Sequence, residues 1–295
     1  MLGSRLFKAY ARGPAHPAKL RVVRWLTRTV VPTRGLDHDV GHGLRLWLHP
    51  RDWLEYRMLR GLPYEPLTLA FLADNAGTGD TVALAGVNFG LHVAVAARHV
   101  GPSGRVIGFE PQPGALLRTR ANLELNGLEN VELVAAALGE GPMLAAMNWA
   151  PEDNPATASL AKDVGRAGGL RVPVLPLGPT LAGLEVERLR LLLLDVEGYE
   201  ELALKGLPGG PLPELIVVEA LDANLATAGS GVAALVARLE GLGYDLHDLH
   251  GRRRTATTAM STAENNLVAV RRGAPPPRFV PEATIARPAP PDADG

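Results

Sequence analysis

Thr81-Val82-Ala83-Leu84-Ala85-Gly86-Val87-Asn88-Phe89-Gly90, followed by Leu91–Val100 (LHVAVAARHV) and Arg105-Val106-Ile107-Gly108-Phe109-Glu110, decides the fold of this chain. The first five residues are apolar enough to be a strand buried on both faces, the next ten after the glycine turn have a helical pattern, and RVIGF is a second strand. A strand, a helix and a parallel strand form one right-handed crossover unit. Outward from it, Pro113–Leu125 reads as a helix stopped by Asn126-Gly127, and Val131–Ala135 as a third strand. Arg190–Leu194 and Leu215–Val218 read as further buried strands. Tyr244–Leu249 and Asn266–Val270 have little helical sequence between them, so an antiparallel pair at one edge is expected. The connection from Ala136 to Leu189 is long, and extra strands are expected at Met143–Asn148 and Leu170–Leu177.

Length and composition agree with one α/β domain plus appendages. The chain has 295 residues, 46% hydrophobic and 21% charged, which supports a sizeable core. Aromatics make up only 5%, so the core is built from Leu, Val and Ala. With no cysteine, disulfides, thiolate metal sites and a Cys nucleophile are ruled out. Net charge is −1, which argues against a polyanion binder by bulk charge, and neither a broad basic face nor interleaved aromatics point to nucleic acid. No apolar run is long enough to span a membrane. Residues 1–36 are the exception in charge: Arg5, Lys8, Arg12, Lys19, Arg21, Arg24, Arg28 and Arg34 stand there without one acid. Leu20–Leu26 (LRVVRWL) suits a cationic amphipathic helix, read either as a solvated or packed N-terminal arm or as a contact for an anionic membrane surface. The expected division is a basic segment over 1–60, a catalytic domain over 61–272 and a Pro-rich disordered tail over 273–295. Arg and Pro interrupt any export signal, so the cytoplasm is the expected location.

In an open parallel sheet, ligands bind beyond the carboxyl ends of the strands. Gly86 can turn there and admit a ligand to the backbone, Asn88 offers an amide, and Gly90 opens a helix whose first N–H groups are free. Glu110 ends the second strand 24 positions after Gly86, a spacing that suits a carboxylate on a ribose diol. Asn88 stands where a pyrophosphate site needs glycine, and the third glycine is absent, so a nicotinamide dinucleotide is disfavoured.

Asp80-Thr81-Val82, Gly86-Val87-Asn88-Phe89-Gly90, Gly104-Arg105-Val106-Ile107-Gly108-Phe109-Glu110-Pro111, Asn122, Leu125-Asn126-Gly127, Asn130-Val131-Glu132, Ala136-Ala137-Leu138-Gly139 and Asp195-Val196-Glu197-Gly198-Tyr199-Glu200 together resemble the FkbM family of S-adenosylmethionine-dependent methyltransferases. The resemblance extends to Tyr64-Glu65-Pro66, Asn154 and Ala158-Ser159-Leu160, over roughly residues 60–272. It implies a class I methyltransferase (Rossmann-like) fold: a seven-stranded, mostly parallel sheet, its last strand antiparallel, with helices on both faces. It also implies S-adenosyl-L-methionine as cofactor and O-methylation of a small molecule or glycan. The cofactor contacts it implies are Tyr64, Glu65, Gly86, Asn88, Gly90, Glu110, Pro111, Ala136 and Asp195. One position departs from the pattern: Leu84 stands where the family has an acid. A degenerate, non-catalytic binding protein is the competing reading.

The candidate catalytic residues are Asp195, Glu197 and His92. Asp195 ends an apolar strand on the ligand side with Glu197 in the same loop, where a carboxylate can serve as base or orient a hydroxyl. His92 lies one turn into the helix after the glycine loop. Glu219 ends ELIVVE and faces the same region, but two acids at strand ends are not a metal-ligand set, and no metal is expected. Asn154 and Ser159 are candidates for a loop over the acceptor, and Arg252-Arg253-Arg254 for attracting an anionic acceptor.

Overall fold

The computed structural model describes residues 2–14, 16, 18–29, 31–147, 160, 170–255 and 265–285. In chain order the helices are α1 (Leu2–Arg12), α2 (Lys19–Thr29), α3 (Trp53–Leu59), α4 (Pro66–Asn75), α5 (Leu91–Val100), α6 (Pro113–Leu125), α7 (Leu177–Gly183), α8 (Glu200–Lys205), α9 (Asp222–Leu225) and α10 (Val232–Gly241). The strands are β1 (Leu36–Gly41), β2 (Leu44–Leu48), β3 (Thr81–Ala85), β4 (Arg105–Phe109), β5 (Val131–Val134), β6 (Ala137–Leu138), β7 (Met143–Met147), β8 (Leu170–Leu175), β9 (Leu191–Leu194), β10 (Leu215–Glu219), β11 (Tyr244–His247) and β12 (Asn266–Arg271). Among the described residues the main sheet has seven strands in the order β11-β12-β10-β9-β3-β4-β5. The pairs from β10 to β5 are parallel, and β12 runs antiparallel to both β10 and β11. This is the class I methyltransferase arrangement expected from the sequence. The order jumps at β3, where β9 and β4 flank it, and this crossover opens a crevice at the carboxyl ends of the strands.

Strand alternation divides the core into two layers. Val82, Leu84, Leu191, Leu193, Leu215 and Val217 face a layer shared with α4 and α5. Ala83, Ala85, Leu192, Leu194, Ile216 and Val218 face the other, shared with α7, α8 and α10. Burying each such Leu, Ile or Val side chain contributes about 1.5–3 kcal/mol, which explains why continuous apolar runs select central strands here. Leu84 is completely buried in the first layer, so β3 brings no carboxylate to its end.

The long connection forms a small sheet in the order β6-β8-β7, with β7 antiparallel to β8. β7 falls where it was expected; β8 ends at Leu175, two residues short of the expected strand because Leu177 opens α7; and β6 was not expected. Asn148 and the loop candidates Asn154 and Ser159 lie outside the described residues.

At the N-terminus the packed alternative holds, with a hairpin that the sequence reading left out. β1 and β2 form an antiparallel hairpin with Leu36, Leu44, Leu46 and Leu48 fully buried. Phe7 and Ala11 of α1 and Val23 of α2 enter the same core layer as β3, so the core does not break at residue 60. The Pro-rich end also differs from the free tail expected from 273 onward. Arg278 exchanges two hydrogen bonds with Asn75: its N–H donates to Oδ1 at 2.8 Å and its carbonyl accepts from Nδ2 at 2.9 Å. Phe279 packs against Phe71 and His247, and Val280 is buried. Two apolar side chains and a satisfied Asn amide outweigh the prolines' preference for solvated, extended chain; residues 286–295 lie outside the described residues.

The Arg252–Arg254 run is likewise already engaged. Arg254 pairs with Asp248 at 2.7 Å, Arg253 with Asp245 at 3.7 Å, and Arg252 with Glu282. Among the described residues no helix is long and apolar enough to cross a membrane.

Candidate functional site

The crevice at the switch point is a cleft enclosing about 750 Å³ of empty space, part of it open to solvent. The glycine loop forms its floor. Gly86 has φ +83°, and a Cβ there would lie 1.7 Å from the carbonyl oxygen of Asp195, so only glycine fits. Asn88 and Gly90 also have positive φ, +47° and +91°. Asn88 is not a glycine, so its backbone is held under strain by its surroundings. The Thr119 hydroxyl donates to the Asn88 carbonyl at 2.7 Å, and Asn122 of α6 donates from Nδ2 to the Phe89 carbonyl at 2.8 Å. The same Asn122 accepts the Trp47 N–H at 2.7 Å, tying the β1–β2 hairpin to the loop.

Glu110 ends β4 and is almost fully buried. One carboxylate oxygen accepts the Asn88 N–H at 3.2 Å and the other the Gln112 N–H at 2.9 Å. Burial raises its pKa, against the opposing pull of these backbone donors. Apolar side chains from Phe109, Pro111, Leu138, Met147 and Leu160 complete a slot on this side of the cleft. A buried acid beside an apolar slot and a glycine turn suits a nucleoside: the slot takes the base and the carboxylate the ribose diol.

Asp195 stands across the cleft at the end of β9. It also lines a second cavity with Glu65, Thr68, Glu219, Asn265 and Asn266, so the residue stands between the two spaces. Burial pushes its pKa well up, and the neighbouring charges of Glu65, Glu219 and Glu197 push it further. Glu219 is pushed up to about 7 by burial, against a hydrogen bond from Asn224. Asn224 Nδ2 donates to Glu197 at 3.2 Å and to Glu219 at 3.1 Å, fixing those two acids side by side. Among the described residues no comparable hydrogen bond reaches the Asp195 carboxylate, and no group of three or more His, Cys, Asp or Glu is placed to hold a metal.

Tyr64, Gly86, Asn88, Glu110, Pro111, Ala136, Asp195 and Glu197 all line the main cleft. Glu65 lines the second cavity instead, while Gly90 caps α5 behind the loop. His92 does not line either space. Its Nε2 lies 3.2 Å from Glu65 Oε2, and its ring meets Tyr64 edge-on at 5.9 Å. Burial alone would raise the Glu65 carboxyl, but His92 and a hydrogen bond with Tyr64 hold it low. Glu65 has φ +40° and makes no side-chain cap to α4 despite sitting at its N-cap; its carboxylate is engaged by His92 and Tyr64 instead. Three of the strained non-glycine residues, Glu65, Asn88 and Glu197, therefore border these two spaces.

The sequence reading missed Gln112, Met147 and Tyr199 as lining residues. Tyr199 lay inside a motif already singled out; Met147 reaches the cleft at the end of β7, brought there by pairing of β7 with β8 and of β8 with β6, and no local pattern signals that.

Residues 85–246, more than half of the chain, match the Methyltransferase FkbM domain. No curated protein sequence matches. Among solved structures, the chain is similar to cofactor-bound Rv0187 from MTB, at 20% identity over 70% of this chain and 79% of that one, with a TM-score of 0.41. It is also similar to a SAM-dependent O-methyltransferase from Thermotoga maritima (15% identity, 71% and 66% covered, TM-score 0.38) and to an rRNA methylase from Streptococcus thermophilus (13%, 69% and 92%, 0.37). Likenesses this distant carry no weight beside the strand order and the domain match. On those two findings the chain belongs to the FkbM family of S-adenosylmethionine-dependent methyltransferases.

Proposed function

We propose that this chain transfers a methyl group from S-adenosylmethionine to a hydroxyl oxygen of a small molecule or glycan, with Asp195 taking the hydroxyl proton. The observation that carries this reading is the position of Asp195 in the partition between a nucleoside-shaped cleft and a polar second cavity. The bound cofactor supplies a methyl group on a sulfonium. In the transfer the new O–CH3 bond forms as the S–CH3 bond breaks, and the hydroxyl proton passes to the Asp195 carboxylate. A carboxylate whose pKa is raised by burial and by neighbouring acids is a stronger base, when ionised, than an ordinary one.

The other residues hold the reactants. Glu110 accepts the ribose hydroxyls, and the Gly86–Asn88 loop lies under the cofactor. Glu65, in the second cavity beside Asp195, supplies from the N-cap of α4 a carboxylate that β3 lacks, with His92 and Tyr64 orienting it. Glu197 in the main cleft and Glu219 in the second cavity, tied together by Asn224, orient the acceptor. On this reading residues 61–272 carry the catalysis.

Calorimetric titration with S-adenosylmethionine and S-adenosylhomocysteine tests the cofactor site, and transfer of labelled methyl from the cofactor to a panel of sugars and phenols tests the acceptor class. Binding without transfer to any hydroxyl, or a product methylated on nitrogen or carbon, overturns the O-methylation reading. A folded chain that binds neither nucleoside restores the non-catalytic alternative.

A further inference from the structure

The N-terminal helices hold an exposed surface that the methyltransferase site does not use. Residues 1–36 contain eight basic side chains and no acid, whereas the remaining 259 residues hold 22 basic and 31 acidic ones. The charge of this protein is therefore polarised along the chain, positive over residues 1–36 and net negative over the rest. α2 docks by one face, through buried Val23 and Thr27. Its opposite face presents Arg21, Trp25 and Arg28, all exposed, with the indole one turn from each guanidinium. Trp25 is 63% exposed, and so is Leu6 on α1, the helix packed against α2. Among the described residues neither Arg21 nor Arg28 forms an ion pair, although most arginines of the catalytic domain do.

We infer that the outer face of α2, with Leu6 of α1, binds an anionic lipid surface. Charge complementarity carries the argument. Arginines flanking an outward Trp on an amphipathic helix match the lipid interface, where the guanidinium groups meet headgroup phosphates and the indole lies at headgroup depth. A nucleic acid would satisfy the two arginines, and a single strand could stack on Trp25, but neither gives a place to the aliphatic Leu6. With few charges and two apolar anchors, the association is reversible and salt-sensitive. It would hold the enzyme at a membrane without any segment crossing it.

The test is sedimentation of the full chain with phosphatidylcholine vesicles, with and without about one-third phosphatidylserine. The expected result is binding to the anionic vesicles alone, a blue shift of Trp emission that the Trp25→Ser variant lacks, and about a tenfold weaker partition for Arg21→Glu/Arg28→Glu. All three side chains are exposed, so the variants should keep the wild-type Tm; Leu6→Ser on α1 is a second probe that leaves α2 intact. No sedimentation with anionic vesicles at low salt, or sedimentation unchanged in both the α2 and the Leu6 variants, overturns the proposal. Displacement from vesicles by a single-stranded oligonucleotide that binds more tightly than the lipid also overturns it.

Discussion

Glu110 and Asp195 are the residues at which the functional reading is most exposed to experiment. Glu110→Ala removes the acceptor for a ribose diol and leaves the Asn88 and Gln112 amides without their partner. A charge-assisted hydrogen bond contributes about 1.5–3 kcal/mol, so cofactor affinity should fall by roughly 10–150-fold, read by calorimetry. Asp195→Asn keeps the shape of the partition and loses the base; methyl transfer should collapse while S-adenosylhomocysteine still binds. The raised carboxyl values also set a pH dependence. Transfer should rise with pH as these acids ionise, and the rising limb should be lost in Asp195→Asn. Stability runs the other way. The folded Glu219 carboxyl titrates at about 7 against an ordinary 4.5, so between those values the folded chain holds a proton that the unfolded chain has released. Folding stability contributed by this group is thus full below about pH 4.5 and is lost as pH rises through about 7. Glu219→Gln should therefore raise Tm at about pH 8 and leave it nearly unchanged at about pH 4, a comparison that thermal unfolding at the two pH values makes directly.

At the scale of elements, the site depends on how β3, α6 and β9 approach one another. Gly86→Ala would force a methyl group into the backbone of β9 at Asp195 and demand a positive φ from alanine. The strands must separate to accommodate it, and a loss of more than about 3 kcal/mol is expected, seen as a large fall in Tm. Asn122→Ala is milder and acts at a distance. It leaves the Phe89 carbonyl and the Trp47 N–H without the Asn partner, so a cost of about 1–3 kcal/mol is expected. Because it frees the glycine loop as well as the hairpin, cofactor affinity should weaken along with Tm. A purely structural hairpin tie would lower Tm alone.

For the whole molecule, the segment after β12 works as a strap. It runs from the end of β12 to α4, where Asn75 clamps Arg278 and Phe71 receives Phe279. Removing residues 278–295 should lower Tm by several degrees, since a buried Val and a large part of a Phe leave the core, at about 1.5–3 kcal/mol for a full side chain.

The central strands were legible because burial on both faces demands uninterrupted apolar runs, and Thr81–Ala85, Arg105–Phe109 and Leu215–Glu219 have no other way to hide their side chains. Gly86 and Glu110 were legible for a related reason: a tight turn and a strand-end carboxylate are local demands, met within a few residues. The Leu44-Leu46-Leu48 alternation of β2 was visible but unread, lying in a segment dominated by charge. What no local pattern carried was decided by tertiary structure alone. The sequence by itself determined the parallel α/β sheet, its glycine turn and the acids at its strand ends. Only the packed structure placed Asp195 between two cavities, buried it beside acids from two other segments, Glu65 and Glu219, set His92 behind Glu65 and bound Phe279 to α4. Each of those depends on groups far apart in the chain, and electrostatic and packing energies depend on distance in space, not separation in sequence.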